Sequence, residues 1–391
     1  IKAVLSEGYL ENIIEGCRDP AAEVIKLEEP HQSIVESLVS SVTSEVGRAI
    51  VGLTILQLCV KSISPVQSIR LHKSGAGGAN FSWQEGIPMR VLDKNFITPV
   101  LRRTGLLNLN ADGFMMTRSL AENYPYSSVY KAAIRGARQE WLQIVEAVEV
   151  GGLAAEDALK SLIFCLINRS DKFQKEAASC MVNVRKASLK LDSIENARSF
   201  IIDFVGAAPY SARLFEVAMH SLFQVLDQDG VFEGTLKPLS QMRSANKKHG
   251  NIGDIEILRR QGGMEILESW DAKFGKLDLR DELEELGEKL LDHSETRLVG
   301  FVSDRDPTLR DDLIARVAEL ELLHDARIKI FSFEGWLNSQ AARSDKPPSV
   351  TARAWVVSFA ESLCQLRRDR APIDEPCDAW VVALKDYAED Y

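Results

Sequence analysis

Apolar residues recur at helical spacing through much of the chain. Between residues 34 and 50, Ile, Leu or Val stands at nearly every fourth position, which is the stripe of a helix packed on one side. Segments 211–226, 276–293 and 307–323 repeat this spacing. The pattern therefore predicts long helices that face an apolar core.

Four later segments have a different pattern, with short runs of β-branched and other apolar residues bounded by turn residues. They are residues 252–258, 263–273, 295–304 and 326–333. Two strands, a helix, a strand, a helix and a final strand follow the apolar helix at 211–226. This order predicts an α/β sheet covered by helices on both faces.

The 391 residues exceed the usual size of one domain. We expect a mainly helical domain at 1–195, an α/β domain at 196–345 and a helical C-terminal extension at 346–391. The chain as a whole is then α/β in class, or α+β when its helical parts are included.

Composition and short motifs argue against a membrane protein, a disulfide-bonded protein and a nucleotide-binding protein. The apolar stretch at 49–60 is too short to span a bilayer, and no basic leader precedes it, so a cytoplasmic protein is expected. The six cysteines form no CxxC pair, which favours free thiols. The Gly/Ser loop at 72–83 lacks the lysine-serine ending of a P-loop, so no nucleotide cofactor is expected.

The net charge is −10, yet residues 61–138 contain eleven Lys/Arg and four Asp/Glu. Such a basic region in an acidic chain indicates DNA binding at chosen places. A second basic loop precedes residue 254. The candidate DNA-binding residues are Arg90, Lys94, Arg102, Arg103, Arg118, Lys131, Arg135 and Arg138 in the basic region, and Arg243, Lys247 and Lys248 in the second loop.

Within the basic region, a predicted helix at 89–105 precedes a predicted hairpin at 106–120. This arrangement resembles a winged helix-turn-helix, although an α+β packing module with solvated charges has the same pattern. Lys131, Arg135 and Arg138 are spaced to share one face of a predicted helix at 129–149. That face would contact phosphates or be solvated.

Polar residues interrupt the two central strands. Asp271 and Lys273 are two apart on one predicted strand and would project to the same face. Asp254, in the neighbouring strand, would lie beside them. Two carboxylates and an ammonium group at a strand end suit a divalent metal that activates water against a phosphodiester. The alternative is a strand-edge ion pair, and Glu256 is a further acid on the face of Asp254.

With Glu216 on the preceding helix, Asp254 and Asp271-Ala-Lys273 resemble the motif of the PD-(D/E)XK nuclease superfamily. The order of elements around them, over about residues 200–340, also resembles that family. Two positions depart from its pattern: Gly253 replaces the proline, and Asp271 replaces the commoner glutamate.

The resemblance implies a Mg²⁺ ion held by Asp254, Asp271 and the carbonyl of Ala272. Lys273 would orient or deprotonate the attacking water and stabilise the phosphorane. Glu216 would orient a metal-bound water or complete a second metal site, with a salt bridge as its rival role. His220, one turn later, is expected to be a satisfied core histidine.

The resemblance further implies a type II restriction endonuclease of a restriction-modification system, cutting double-stranded DNA as a homodimer. A modification-dependent or repair nuclease of the same superfamily is one alternative. A non-catalytic winged-helix DNA-binding regulator is another, and it would leave the three residues at the strand ends unexplained.

Overall fold

The computed structural model describes most of the chain. The described residues are 1–19, 21, 25–43, 45–72, 86–107, 109, 113, 120, 125–130, 134, 136–239, 251–259, 265–365 and 376–391.

Two compact units divide the chain. One is Ile1–Gln174 with Ile373–Pro376, and the other is Lys175–Pro372 with Cys377–Tyr391. The division falls inside one long helix, earlier than the boundary expected at 195–196. The reason is that the apolar residues of this helix serve two cores, with its first half buried in one unit and its second half in the other.

Among its described residues, the regular elements of the first unit are helices, and the β-structure is one isolated bridge between His72 and Ile87. A 3₁₀ turn, Ser41–Thr43, precedes the fourth helix, and a π-helical turn, Asp93–Ile97, joins the fifth helix to the sixth. The helices are α1 (Lys2–Ser6), α2 (Tyr9–Arg18), α3 (His31–Ser40), α4 (Glu45–Ile63), α5 (Met89–Leu92), α6 (Thr98–Arg103), α7 (Arg138–Glu149) and α8 (Ala155–Ser188), which continues into the second unit.

Helix α4 is the centre of the first core. Its segment Val46–Ile63 is long and apolar enough to cross a membrane by length and composition, but 72% of it is buried inside the protein. Its polar residue Gln57 is fully buried and satisfied, donating to the Ile69 carbonyl at 2.8 Å and accepting from Trp141 Nε1 at 2.8 Å. These contacts are those of a core helix in a packed domain.

Two predictions for the first unit are affected by the structure. The helix expected at 129–149 begins only at Arg138, because Gly136 has a left-handed φ of 90°. Lys131 and Arg135 lie outside the described residues, so the helical face they were expected to share with Arg138 stays a prediction. Most of the predicted hairpin at 106–120 lies outside the described residues, so the winged helix stays a prediction.

The second unit combines helices with a five-stranded sheet. Its elements after α8 are α9 (Ile194–Ala207), α10 (Ser211–Gln228), β1 (Gly234–Leu236), β2 (Ile255–Arg259), β3 (Ile266–Lys273), α11 (Arg280–Leu291), β4 (Leu298–Ser303), α12 (Asp311–His324), β5 (Arg327–Ser332), α13 (Phe333–Ala341), α14 (Pro348–Leu363) and α15 (Cys377–Asp390).

The sheet has the strand order β1-β2-β3-β4-β5 and is mixed. Strands β1, β2 and β3 are antiparallel neighbours, whereas β3, β4 and β5 are parallel. Helices α11 and α12 pack on one face against Val299, Phe301 and Ile328. Helices α10 and α13 contact the sheet as well, and Trp336 of α13 packs against Trp270. The α/β class expected from the sequence is confirmed.

Helix α14 belongs to the core of the second unit, although its sequence was expected to form an extension. Trp355 is fully buried and its Nε1 donates to the Ala218 carbonyl of α10 at 2.9 Å. Ser358 and Ser362 both donate to Gln224 Oε1 at 3.0 Å. Residues 348–363 thus hold α10, and with it Glu216, in place.

Candidate active site

The antiparallel pairing of β2 and β3 brings Asp254 to Asp271. The Asp254 amide donates to the Trp270 carbonyl at 3.0 Å, and Asp254 Oδ2 accepts from the Ala272 amide at 3.0 Å. The sequence placed Asp254 at the end of an apolar run within a strand at 252–258. In the structure Asp254 instead precedes β2, which begins at Ile255. In an antiparallel pair the start of one strand lies beside the end of its neighbour, which is where Asp271 stands.

Asp271 and Lys273 project from the same face of β3, as two residues at this spacing must. Lys273 Nζ lies 2.8 Å from Asp271 Oδ2. The carboxyl groups of Asp254 and Asp271 also hydrogen-bond to each other. The three residues therefore form one continuous polar cluster where β2 begins and β3 ends.

The pKa of each aspartate is raised above its ordinary value. Burial, and next the charge of Asp254, raise the pKa of Asp271 to about 8. Burial and then the charge of Glu216 raise the pKa of Asp254, while hydrogen bonds from Asp271 and the Ala272 amide oppose the rise. Two adjacent carboxyl groups in a low-dielectric setting cannot both ionise cheaply, so the pair holds a proton more strongly than a solvated carboxyl does.

Lys273 stays protonated in this setting. Burial by itself would lower the pKa of the ammonium group, but Asp271, Asp254 and Glu282 together outweigh that effect and raise it. A raised pKa favours a fixed positive charge over proton abstraction. Of the two roles expected for Lys273, charge stabilisation therefore fits the structure better.

Glu216 reaches this cluster from α10. Its carboxylate forms an ion pair with Arg213, one turn earlier on the helix, and Arg213 is only 4% exposed. Of the two roles expected for Glu216, the salt bridge is present. The negative charge of Glu216 also raises the pKa of the Asp254 carboxyl group.

Glu256 has a supporting position, although its sequence position had suggested an additional metal ligand. It is 1% exposed, and its Oε2 pairs with Lys237 Nζ at 2.6 Å. Its Oε1 accepts from the amides of Ile252 at 2.7 Å and Gly253 at 3.3 Å. Both oxygens are thus engaged, and they hold the turn that presents Asp254.

Lys237 was missed as a structural residue because its partner lies 19 residues away in sequence. Its carbonyl is 3.0 Å from Nε2 of His220, which is buried on α10. His220 is therefore a satisfied core histidine, as expected. Together the two residues connect α10 to the turn before β2.

Gly253 explains one departure from the nuclease motif. A Cβ at this position would lie 2.8 Å from the Trp270 carbonyl oxygen and 2.8 Å from Ser269 Oγ. Contacts this short with backbone require movement, so the turn has no room for a proline ring or for another side chain. Glycine at position 253 lets Asp254 approach β3 closely.

The donor set fits Mg²⁺. Among the described residues, no three His, Cys, Asp or Glu side chains are grouped so as to hold a metal by themselves. Mg²⁺ needs fewer protein ligands, because it keeps several waters and binds through one or two carboxylates and substrate phosphates. Asp254 and Asp271 supply two carboxylates whose mutual repulsion a divalent cation would relieve.

Several cations of the basic region are compensated in the folded unit. Lys61 pairs with Glu149 at 3.2 Å, Arg70 pairs with Glu146 at 2.5 Å, and Arg103 pairs with Glu11 at 2.8 Å. All three acids lie outside residues 61–138 in sequence. The local excess of positive charge is therefore smaller on the surface than in the sequence.

Arg90 and Lys94 remain exposed, one helical turn apart, and neither forms an ion pair with a described residue. Arg102 is half-buried, and Arg138 donates to the Tyr130 carbonyl. Among the candidates in this region, Arg90 and Lys94 are the better placed to contact phosphates. The candidates that lie outside the described residues are Arg118, Lys131, Arg135, Arg243, Lys247 and Lys248.

Comparisons with known proteins add no identification. No protein-family model matches the chain, and no curated protein shows significant similarity to it.

Proposed function

We propose that this chain is a Mg²⁺-dependent, site-specific endonuclease for double-stranded DNA, of the PD-(D/E)XK superfamily and of the type II restriction class. The observation that carries the proposal is the hydrogen-bonded carboxyl pair Asp254–Asp271, with Lys273 Nζ 2.8 Å from Asp271 Oδ2. Like charges buried together are costly unless the site serves a ligand of opposite charge.

Asp254 and Asp271 would hold the cation, with the Ala272 carbonyl as a further ligand, and would give up the proton that the pair holds on binding it. The cation, when bound, neutralises charge on the scissile phosphate and lowers the pKa of the attacking water. The turn at 252–254, held by Glu256 and Lys237, fixes Asp254 relative to β3.

Lys273 contributes a fixed positive charge. Its ammonium group is oriented by Asp271 and would stabilise the negative charge that develops on the phosphate oxygens. Glu216 has its charge balanced by Arg213 and would orient water near Asp254. A second Glu216 role, in a separate metal site, has no particular support.

The first unit would hold the DNA. Exposed Arg90 and Lys94 would contact backbone phosphates, which fixes the register of the protein on the duplex. A homodimer would supply one active site for each strand, and a two-fold axis would match a palindromic recognition sequence. These features suit a cytoplasmic restriction-modification system.

A cleavage assay tests the proposal. Unmethylated plasmid is incubated with the full chain and Mg²⁺, comparing wild type with Asp254→Asn and Asp271→Asn. Asp278→Asn is the matched control, because Asp278 is an exposed acid paired with Arg310. We expect discrete fragments from wild type and the control, and none from the two site variants.

Discrete fragments that persist in both site variants would overturn the active-site assignment. Parallel digests of methylated plasmid and branched DNA separate the main alternatives. Cutting confined to either of these substrates would support a modification-dependent or repair nuclease. Binding to DNA with no cutting of any substrate would support a regulator.

A further inference from the structure

A narrow cavity lies beside Asp271, between the sheet and α11. Its volume is about 10 Å³, enough for one water-sized occupant. Strand β3 contributes Ser269 and Asp271 to its lining, and α11 contributes Glu282 and Glu285. The cavity therefore extends the candidate active site towards a helix that the sequence motif does not include.

Two oxygens around this cavity lack a hydrogen-bond partner among the described residues. The Ser269 hydroxyl is one, and its side chain is 1% exposed. The other is Glu282 Oε2, while Oε1 of the same carboxylate pairs with Lys276. A buried oxygen without a partner costs about 1–3 kcal/mol, so such atoms indicate a bound water or ion.

The charge around the cavity favours an ion over water. Asp271 already faces Asp254, and Glu282 is close enough for its charge to help raise the pKa of Lys273. Glu285, one turn from Glu282, is compensated by Lys289 at 3.0 Å. Helix α11 thus carries Glu285, whose charge is matched by Lys289, and Glu282, whose Oε2 has no hydrogen-bond partner among the described residues.

We propose that Glu282, through Oε2, is a further ligand of a divalent cation that also binds Asp271, with the Ser269 hydroxyl supporting it. This inference rests on the cation site proposed above and deepens it. These protein ligands do not fill the coordination shell of the cation, since the described residues contain no group of three or more His, Cys, Asp or Glu that could hold a metal. Waters and the substrate phosphate would supply the remaining ligands.

Calorimetric titration of the full chain with Mn²⁺, without DNA, tests this inference. The variants are Glu282→Gln and Ser269→Ala. Glu284→Gln is the control that removes a charge from the same helix, because Glu284 is exposed and pairs with Arg316 away from the cavity. We expect Glu282→Gln to weaken Mn²⁺ binding at least about tenfold, or to remove one bound ion. Ser269→Ala should weaken binding less, and Glu284→Gln should bind as wild type does.

Unchanged Mn²⁺ binding in Glu282→Gln would overturn the inference and leave the cavity to a structural water. Circular dichroism checks that each variant is folded.

Asp271→Asn separates this inference from the proposed function. If Asp271→Asn abolishes Mn²⁺ binding and Glu282→Gln does not change it, the inference fails and the endonuclease proposal stands. If the wild-type chain binds no Mn²⁺ and cuts no DNA, both fail.

Discussion

The surroundings of Glu256 and of Asp271 differ, although both are buried acids on adjacent strands. Glu256 is 1% exposed and its charge is matched by Lys237 and two backbone amides. Asp271 is 8% exposed and faces a second carboxylate, so that one lysine serves both. The first region is balanced by the protein itself, and the second has an excess of negative charge.

This difference separates a structural acid from a candidate functional one. Burial alone does not distinguish Glu256 from Asp271, and neither does sequence position, since both are acids within short apolar strands. The local sum of charges does distinguish them, because a balanced buried acid stabilises the fold while an unbalanced one destabilises it. Their substitution should therefore have opposite effects on stability.

The largest expected effect is on catalysis. Asp271→Asn should lower the cleavage rate at least about 1000-fold, since loss of cation binding forfeits several kcal/mol of transition-state stabilisation. The same variant should melt at the same or a higher temperature than wild type without divalent cations. Initial rates and thermal melts check both parts, and a clear loss of stability would contradict the contrast with Glu256.

Glu256→Gln should have the opposite effect on stability. Its loss leaves Lys237 without its charged partner and weakens the turn before Asp254, so the free energy of unfolding should fall by about 3 kcal/mol. Urea denaturation measures it. Glu265→Gln is the control, because Glu265 pairs with Arg259 at an exposed position, where a change of at most about 1 kcal/mol is expected.

Stability should depend on pH through Asp271. Its pKa rises from an ordinary 3.8 to about 8 on folding, so the folded chain holds a proton that the unfolded chain releases. The resulting stabilisation is fully present below pH ~4 and is lost as pH rises through about 8. Urea denaturation in chelator should show stability falling over this window, and Asp271→Asn should remove the fall.

Divalent cations should reverse this pH dependence. A cation competes with the proton that Asp254 and Asp271 hold, so Mg²⁺ affinity should increase as pH rises towards about 8. Calorimetric titration at several pH values measures it. An affinity that is independent of pH would show that the carboxyl pair does not bind the cation.

The smallest effects should be those on DNA binding by the first unit. Its surface has the same contrast between a charge that the protein balances and charges that it does not. Arg90→Ala and Lys94→Ala should each lower the salt slope of DNA binding by about 0.9, because each removes one phosphate contact. Arg103→Ala should change it less, since Arg103 is already paired with Glu11. Equal slopes for all three variants would contradict the distinction between paired and unpaired cations.

Sequence patterns predicted the long elements well. Helices α10, α11 and α12 and strands β2 to β5 lie where periodicity placed them, with shifts at their ends. Strand β1 was missed because three residues carry too little pattern. The helix expected at 129–149 was too long, since the observed helix begins at Arg138. The apolar spacing of this segment is helical, and it does not show that Gly136 adopts a left-handed φ.

The candidate site was predicted only in part. Asp254, Asp271 and Lys273 could be selected from residue type and strand spacing, since alternation along a strand is a local property. The roles of Lys237 and Glu282 could not be predicted in this way. Each depends on what its side chain meets after folding, and the partner of Lys237 is Glu256 on β2.

The sequence by itself determined the α/β class, the main elements of the sheet and the identity of its three central polar residues. Only the tertiary structure decided that Lys237 balances Glu256, that Asp254 lies beside Asp271 and helps raise its pKa, and that part of the basic region is paired with distant acids. The physical reason is that periodicity acts over a few residues along the chain, whereas burial and charge balance depend on neighbours in space.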